Sequence, residues 1–155
     1  KMAKLGLCAN FFANHLWFWG DQHFEMTVGP ERANQLEPCR SAMREGVSFS
    51  VHSDAGVTPL GSLHTMWCAV NRVTPSGRIL GEYEKITPAE ALKAVTIDAA
   101  YQLHLDHEIG SLETGKQADI AILDADPLSV DPMSIKDIGV WGTLLGGIKH
   151  EAAGR

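Results

Sequence analysis

Cysteine is scarce in this sequence and never closely spaced. Cys8, Cys39 and Cys68 are the three present, and no CxxC pair occurs. An odd, dispersed set argues against a disulfide framework and against a thiolate zinc site, and it points to buried thiols in a reducing cytoplasm. No apolar run is long enough to cross a bilayer and no stretch reads as a signal peptide, so no membrane partner is expected. Charge of one sign is not concentrated anywhere: 13 Lys and Arg are interspersed with 19 Asp and Glu, for a formal net charge of −6. That pattern offers neither a nucleic-acid groove nor a basic membrane-surface helix. Internal repeats and low-complexity segments are lacking too. What remains is a chain of 155 residues, long enough for one domain with a sizeable core.

The densest chemical signal lies between Ser48 and Pro59. Phe49 and Val51 share one parity, whereas Ser50, His52 and Asp54 share the other. Alternate residues of a strand face the same side, so this strand has an apolar face and a face carrying a hydroxyl, an imidazole and a carboxylate. Asp54 comes last, with Thr58 as N-cap and Pro59 as first residue of a following helix. The carboxyl end of a strand in a β/α unit is where such folds hold their reactive groups. A carboxylate there also caps turns, and on this segment alone the two roles stand side by side.

The first residues, Lys1 to Gly6, read as the last turn of a helix closed by glycine, which implies that further chain precedes them. Leu7 to Phe12 reads as a short buried strand. A loop rich in aromatic residues follows, Asn14 to His23, holding Trp17, Phe18 and Trp19 with His15 and His23. Aromatic side chains so concentrated are expected to pack under other structure or to wall an apolar pocket. His15 and His23 are ligand-type residues at a spacing that matches no recognised metal pattern. A helix over 30–45, ended by Gly46, leads into the Ser48–His52 strand, so the unit is strand, loop, helix and strand, the repeat of a parallel α/β sheet or barrel.

Beyond Asp54 the spacing of Leu60, Leu63, Trp67 and Val70 predicts a helix over 59–72 with those residues in the core. His64 lies off that stripe, and Arg72 reads as a solvated helix-end residue. Asn71 to Gly77 is a loop. Thr87-Pro88-Ala89-Glu90 is a capping box with proline at the first helical position, and it opens a helix reaching Leu103. The last third changes character. A short strand and tight turn over 109–116, a strand over 118–124, and two strands flanking Gly146-Gly147 predict a small antiparallel module. The expected division is therefore 1–107 and 108–155.

Gly110 to Asp124, reading GSLETGKQADIAILD, resembles the phrase that opens the C-terminal β segment of the amidohydrolase superfamily. Phe12 to Asp21, the His52-Ser53-Asp54-Ala55 run, the Asn71–Gly77 loop and Thr87 to Leu103 are similar to its family-3 branch, which includes N-substituted formamide deformylases. The resemblance implies the C-terminal part of a (β/α)8 barrel, with Leu7–Phe12 as strand seven and Ser48–His52 as strand eight, joined to a segment of a β-sandwich. It implies a metal-dependent hydrolase that cuts carbon–nitrogen bonds of small amide-type substrates. Asp54 is then both the catalytic base and a ligand of a divalent metal, zinc in this reading. His15, Trp17, Trp19 and His52 line the substrate site. The remaining ligands, which such enzymes take from strands one to six, are expected outside this chain. The partner is then the missing N-terminal barrel segment, or self-association through the exposed edges. One departure from the branch is Ala55-Gly56, where Ala-Pro is more usual. The alternative reading is a non-catalytic binding or assembly module derived from the same fold.

Overall fold

The structure, a computed structural model, describes residues 1–152, so the last three positions of the expected 108–155 segment lie outside the described residues. It is an α/β arrangement with two sheets. Strand β1 (Ala9–Phe11) and strand β2 (Phe49–Val51) pair in parallel, with Ala9 opposite Phe49 and Phe11 opposite Val51. Strands β3 (Ile120–Leu123), β4 (Val140–Leu145) and β5 (Ile148–Glu151) form an antiparallel sheet in the order β3-β4-β5. The Gly146-Gly147 hairpin forms as expected. Both glycines take positive φ, 56° and 82°, as a two-residue turn between right-twisted strands requires.

The connection from β1 to β2 differs from expectation. Residues 15–22 are helix α1 (His15–Gln22), continued by a π-turn over His23–Thr27, and not a loop. Local preference for helix is weak among bulky aromatics, but packing overrides it. Leu16 and Gly20, one helical turn apart, are buried on a single face. Gly20 is needed there because an added Cβ would stand 2.7 Å from the Thr74 methyl and 2.8 Å from Leu80. The single helix expected over 30–45 is in fact two, α2 (Gly29–Ala33) and α3 (Cys39–Arg44). Pro38 separates them. A residue before proline is driven out of the helical region, and Glu37 sits at φ 48°.

Helix α4 (Ser62–Asn71) starts three residues later than the sequence suggests, with Gly61 at its N-cap position. Thr58 is buried and committed to the turn described below. Leu60 lies before the helix and is 83% exposed, so the helical stripe that would bury it never reaches it. Leu63, Trp67 and Val70 do pack inward. Arg72, expected in solvent, is fully buried. It ends α4 in the left-handed region and donates from Nε to the Leu80 carbonyl at 2.6 Å, from Nη1 to Glu37 at 2.9 Å and from Nη2 to Leu36 at 2.5 Å. The carbonyls that need it come from distant stretches of chain, which no local pattern announces.

Helices α5 (Pro88–Val95) and α6 (Ile97–Gln102) replace the one expected helix, with a break at Thr96. Its hydroxyl bonds back to the Leu92 carbonyl at 2.7 Å, a competition with helical bonding typical of threonine. The capping box is present in full: Thr87 Oγ1 accepts from the Glu90 amide, and the Glu90 carboxylate accepts from the Thr87 amide. Residues 109–116 form turns instead of a strand, because their polar groups are satisfied locally. The Ile109 amide bonds Leu105 and Lys116 Nζ bonds the Ser111 hydroxyl.

The core runs between β1–β2 and the helices, through Phe49, Val51, Met66, Trp67, Ala91 and Ala94. A 3₁₀ turn over Pro132–Asp137 packs on α4 across the expected 107/108 division. Trp67 Nε1 donates to the Met133 carbonyl at 2.9 Å, and Asn71 Nδ2 to Pro132 at 2.9 Å. An apolar groove of about 630 Å³ lies between α5–α6 and β3, lined in part by Leu92, Val95, Leu103 and Ile120. None of the candidate site residues lines it. No described helix is long and apolar enough to cross a membrane.

Candidate active site

Parallel pairing brings the carboxyl ends of β1 and β2 to one edge. The backbone bond from the His52 amide to the Phe11 carbonyl, 2.9 Å, carries the ladder one residue beyond the strands. Phe12 therefore stands beside His52. Their rings stack with centroids 5.3 Å apart, and His15 stacks on Phe12 at 5.2 Å. Trp19 completes the cluster, 5.9 Å from Phe12 and edge-on to His15 at 5.5 Å. Three of the expected site residues, His15, Trp19 and His52, thus meet around one ring that the sequence reading left unassigned.

Trp17 does not join them. It lies edge-on to Trp67 at 5.1 Å and to His64 at 6.4 Å. Residues two apart on a helix point to opposite sides, so α1 gives Trp19 to the strand ends and Trp17 to the core. His64 is wedged among Trp17, Phe18 and Trp67, and burial lowers its pKa, with the Lys136 charge acting in the same direction.

Asp54 is exposed at the end of β2, on left-handed backbone with φ 50°. Aspartate tolerates this region better than most residues. Its amide donates to His52 Nδ1 at 3.1 Å. That bond requires Nδ1 to be the acceptor and leaves the ring proton of neutral His52 on Nε2. The Asp54 carbonyl receives the amides of Val57 and Thr58 at 2.8 and 3.2 Å. Among the described residues no side chain hydrogen-bonds or ion-pairs with the Asp54 carboxylate, which is left open to an outside group.

His15 and His23 face each other through their Nε2 atoms at 2.7 Å, so a proton must lie between the two nitrogens. Thr27 Oγ1 sits 2.6 Å from His23 Nδ1, and Glu37 Oε1 lies 3.6 Å from His15 Nδ1. Neutral rings satisfy this row when Thr27 donates to His23, His23 to His15, and His15 points its remaining proton at Glu37. Burial lowers the His23 pKa, and the charge of protonated His15 adds to this. The ring nitrogens of His15 are thereby engaged, and it presents its ring plane to Phe12. His15 and His23 were legible in the sequence as ligand-type residues, but no local pattern tied Thr27 or Glu37 to them.

Asp21, close in sequence, has a different task. Its carboxylate accepts from Thr74 Oγ1 at 2.7 Å, the Ser76 amide at 3.0 Å, Ser76 Oγ at 2.6 Å and Arg78 Nη1 at 3.0 Å. Burial works to raise its pKa, but the bonds from Ser76 and Thr74 and the Arg78 charge outweigh that and hold it below the usual carboxylate range. It pins the 71–77 loop to α1.

Among the described residues no three His, Cys, Asp or Glu side chains gather as a metal site. A zinc centre takes about three or four protein ligands. The donor set of this chain does not hold a metal by itself, and Asp54 fits only as a single ligand. The three thiols are free; burial pushes Cys39 up to about 12 and raises Cys68 further, which makes both poor thiolate donors.

The sequence matches the model of a family described as the amidohydrolase family over residues 1–148. An N-substituted formamide deformylase of Arthrobacter pascens is 32% identical over 156 residues, covering 99% of this chain and 29% of that protein. A metal-dependent hydrolase from Pyrococcus horikoshii superposes with a TM-score of 0.68 at 24% identity, over 84% of this chain and 26% of its own. An adenosine deaminase from Xanthomonas campestris with bound zinc gives 0.59 at 20% identity, over 84% and 30%. The chain therefore spans less than a third of the length of each of these relatives. The match over 1–148 covers strands β1 to β4, the aromatic cluster and the Asp54 turn together, and the chain belongs to the amidohydrolase family.

Proposed function

We propose that this chain is the C-terminal part of a metal-dependent hydrolase that cleaves carbon–nitrogen bonds of amides, formamides or related small molecules, with Asp54 as its catalytic base. Leu7–Phe12 and Ser48–His52 correspond to strands seven and eight of a (β/α)8 barrel, residues 1–107 to the barrel part and 108–155 to a β-sandwich segment. Three free thiols, of which Cys39 and Cys68 are buried, suit a cytoplasmic setting. The observation that carries the reading is the position of Asp54 at the carboxyl end of β2: its carboxylate has no partner among the described residues, and its amide bonds His52, a member of the Phe12, His15 and Trp19 ring cluster.

In this reading the carboxylate takes a proton from the attacking water as its oxygen bonds to the substrate carbon, and returns it to the nitrogen as the C–N bond breaks. The ring cluster walls the substrate on one side. Asp54 also supplies one ligand to a divalent ion, zinc as in the deaminase relative, and the others come from strands one to six. Those strands would also cover the outer edges of β1 and β2, which among the described residues pair only with each other.

The test is Asp54→Asn in the full-length protein. Asparagine keeps the shape and tolerates φ 50°, but it cannot accept the proton. Hydrolysis of N-formyl and N-acyl amines should fall by ~10²–10⁴-fold, the range of a general acid–base role, with the fold intact. If Asp54→Asn keeps most of kcat and its metal content, Asp54 only shapes the turn.

A further inference from the structure

The turn that carries Asp54 hangs on one buried side chain. Asn14, at the N-terminus of α1, is fully buried, and its Nδ2 donates to Thr58 Oγ1 at 2.9 Å. Thr58 is itself buried, and its hydroxyl donates to the Ser53 carbonyl, on the residue before Asp54. A hydroxyl has one proton to give, so Thr58 can only accept from Asn14. This fixes the amide orientation and leaves Asn14 Oδ1 buried without a partner. An unsatisfied buried acceptor costs stability, so packing alone would favour an apolar residue of this size. The bond to Thr58 gives the amide another task. With the Asp54 carbonyl receiving the Val57 and Thr58 amides, it closes the 53–58 turn and ties it to the end of β1.

We propose that Asn14 is a positioning residue that holds Asp54 in place through Thr58. The proposal rests on the reading of Asp54 as the base. Asn14 itself touches no reacting atom. Its bond sets where the Asp54 backbone leaves β2, and so where the carboxylate stands relative to a substrate held against Phe12 and Trp19.

The experiment compares Asn14→Leu, Thr58→Val and Thr58→Ser in the full-length protein, with two readouts: kcat and KM on N-formyl amines, and hydrogen exchange by mass spectrometry over residues 53–58. A misplacement of about 1 Å at a reacting group costs on the order of 10²-fold. Asn14→Leu and Thr58→Val should each lower kcat by ~10–100-fold with KM nearly unchanged. Both should also speed exchange of the Val57 and Thr58 amides, while Thr58→Ser, which keeps the hydroxyl, retains kcat and protection. The double variant should lose no more than either single one. If Asn14→Leu keeps kcat and the exchange protection of 53–58, the amide is only a packing element and the proposal fails. Should Asn14→Leu not fold, the contrast of Thr58→Val with Thr58→Ser decides on the same readouts. Accelerated exchange in a protein whose Asp54→Asn variant is fully active would support the tie and overturn the base.

Discussion

Replacing Arg72 by methionine removes a buried guanidinium but keeps most of its stem. The Leu80 and Leu36 carbonyls are then left without donors, whereas the Glu37 carbonyl keeps the Cys39 amide at 2.8 Å. Leu80 is fully buried, so its carbonyl loses a partner where water does not reach. An unsatisfied buried acceptor costs about 1–3 kcal/mol, and about 2 is reasonable for Leu80. Leu36 is half-buried, and about 1 kcal/mol is a fair value where water can partly substitute; Glu37 adds little, because its carbonyl stays bonded to the Cys39 amide. The gross loss is about 3 kcal/mol. Removing a charge that had been taken out of water returns some of this, for a net cost of about 2 kcal/mol. Urea unfolding followed by tryptophan fluorescence and far-ultraviolet circular dichroism measures it. With a slope of about 2 kcal/mol/M, the midpoint should drop by about 1 M at unchanged slope. Arg72→Lys should recover only part of this, because one ammonium cannot serve three carbonyls spread as a fork. The functional side follows from the same contacts. Arg72 grips the backbone of Glu37, whose carboxylate faces His15, so its loss loosens the histidine row as well. A midpoint shift below about 0.3 M would refute the argument, since at that slope it means that water satisfies the carbonyls and the guanidinium is no clamp.

Glu90→Ala removes both the return half of the capping box and the two-bond contact with Arg40, at 2.9 and 2.8 Å. The pair is partly exposed, so the expected cost is about 1–2 kcal/mol, chiefly from the cap, read as a lower urea midpoint; an unchanged midpoint would mean that α5 is held by packing alone. His64 sets a pH dependence. Its pKa is lowered by burial first and by Lys136 second, so the folded state binds fewer protons than the unfolded chain below the ordinary histidine value. Its contribution is therefore fully present above about pH 6.5 and is lost as pH falls through the lowered folded value. Unfolding free energies at pH 7.5 and below should show parent and His64→Gln converging in acid, and a gap that widens in acid would refute the assignment.

Sequence alone determined the elements whose chemistry is local. The Thr87–Glu90 capping box, the Gly146-Gly147 turn and the Phe49–Val51 strand each carry their signal within a few residues, and each formed, although Ser50 on the strand's polar face is buried and bonds Gln102. The same holds for Asp54 at the strand's end and for the family resemblance written across the motifs. Some breaks were legible but easily passed over, such as Pro38 inside an apparent helix. Tertiary structure alone decided the rest. Whether 15–22 is loop or helix depends on Gly20 fitting against Thr74 and Leu80, and that outcome sends Trp17 and Trp19 to opposite sides. Thr58 has a good N-cap side chain, yet its hydroxyl is taken by Ser53 and Asn14. Arg72 looks like a solvent residue until three carbonyls from two other segments close around it. Caps and turns satisfy backbone groups a few residues away, so short-range patterns specify them. A buried polar group must find its partner wherever the packed chain brings one, and only the complete fold fixes that distance.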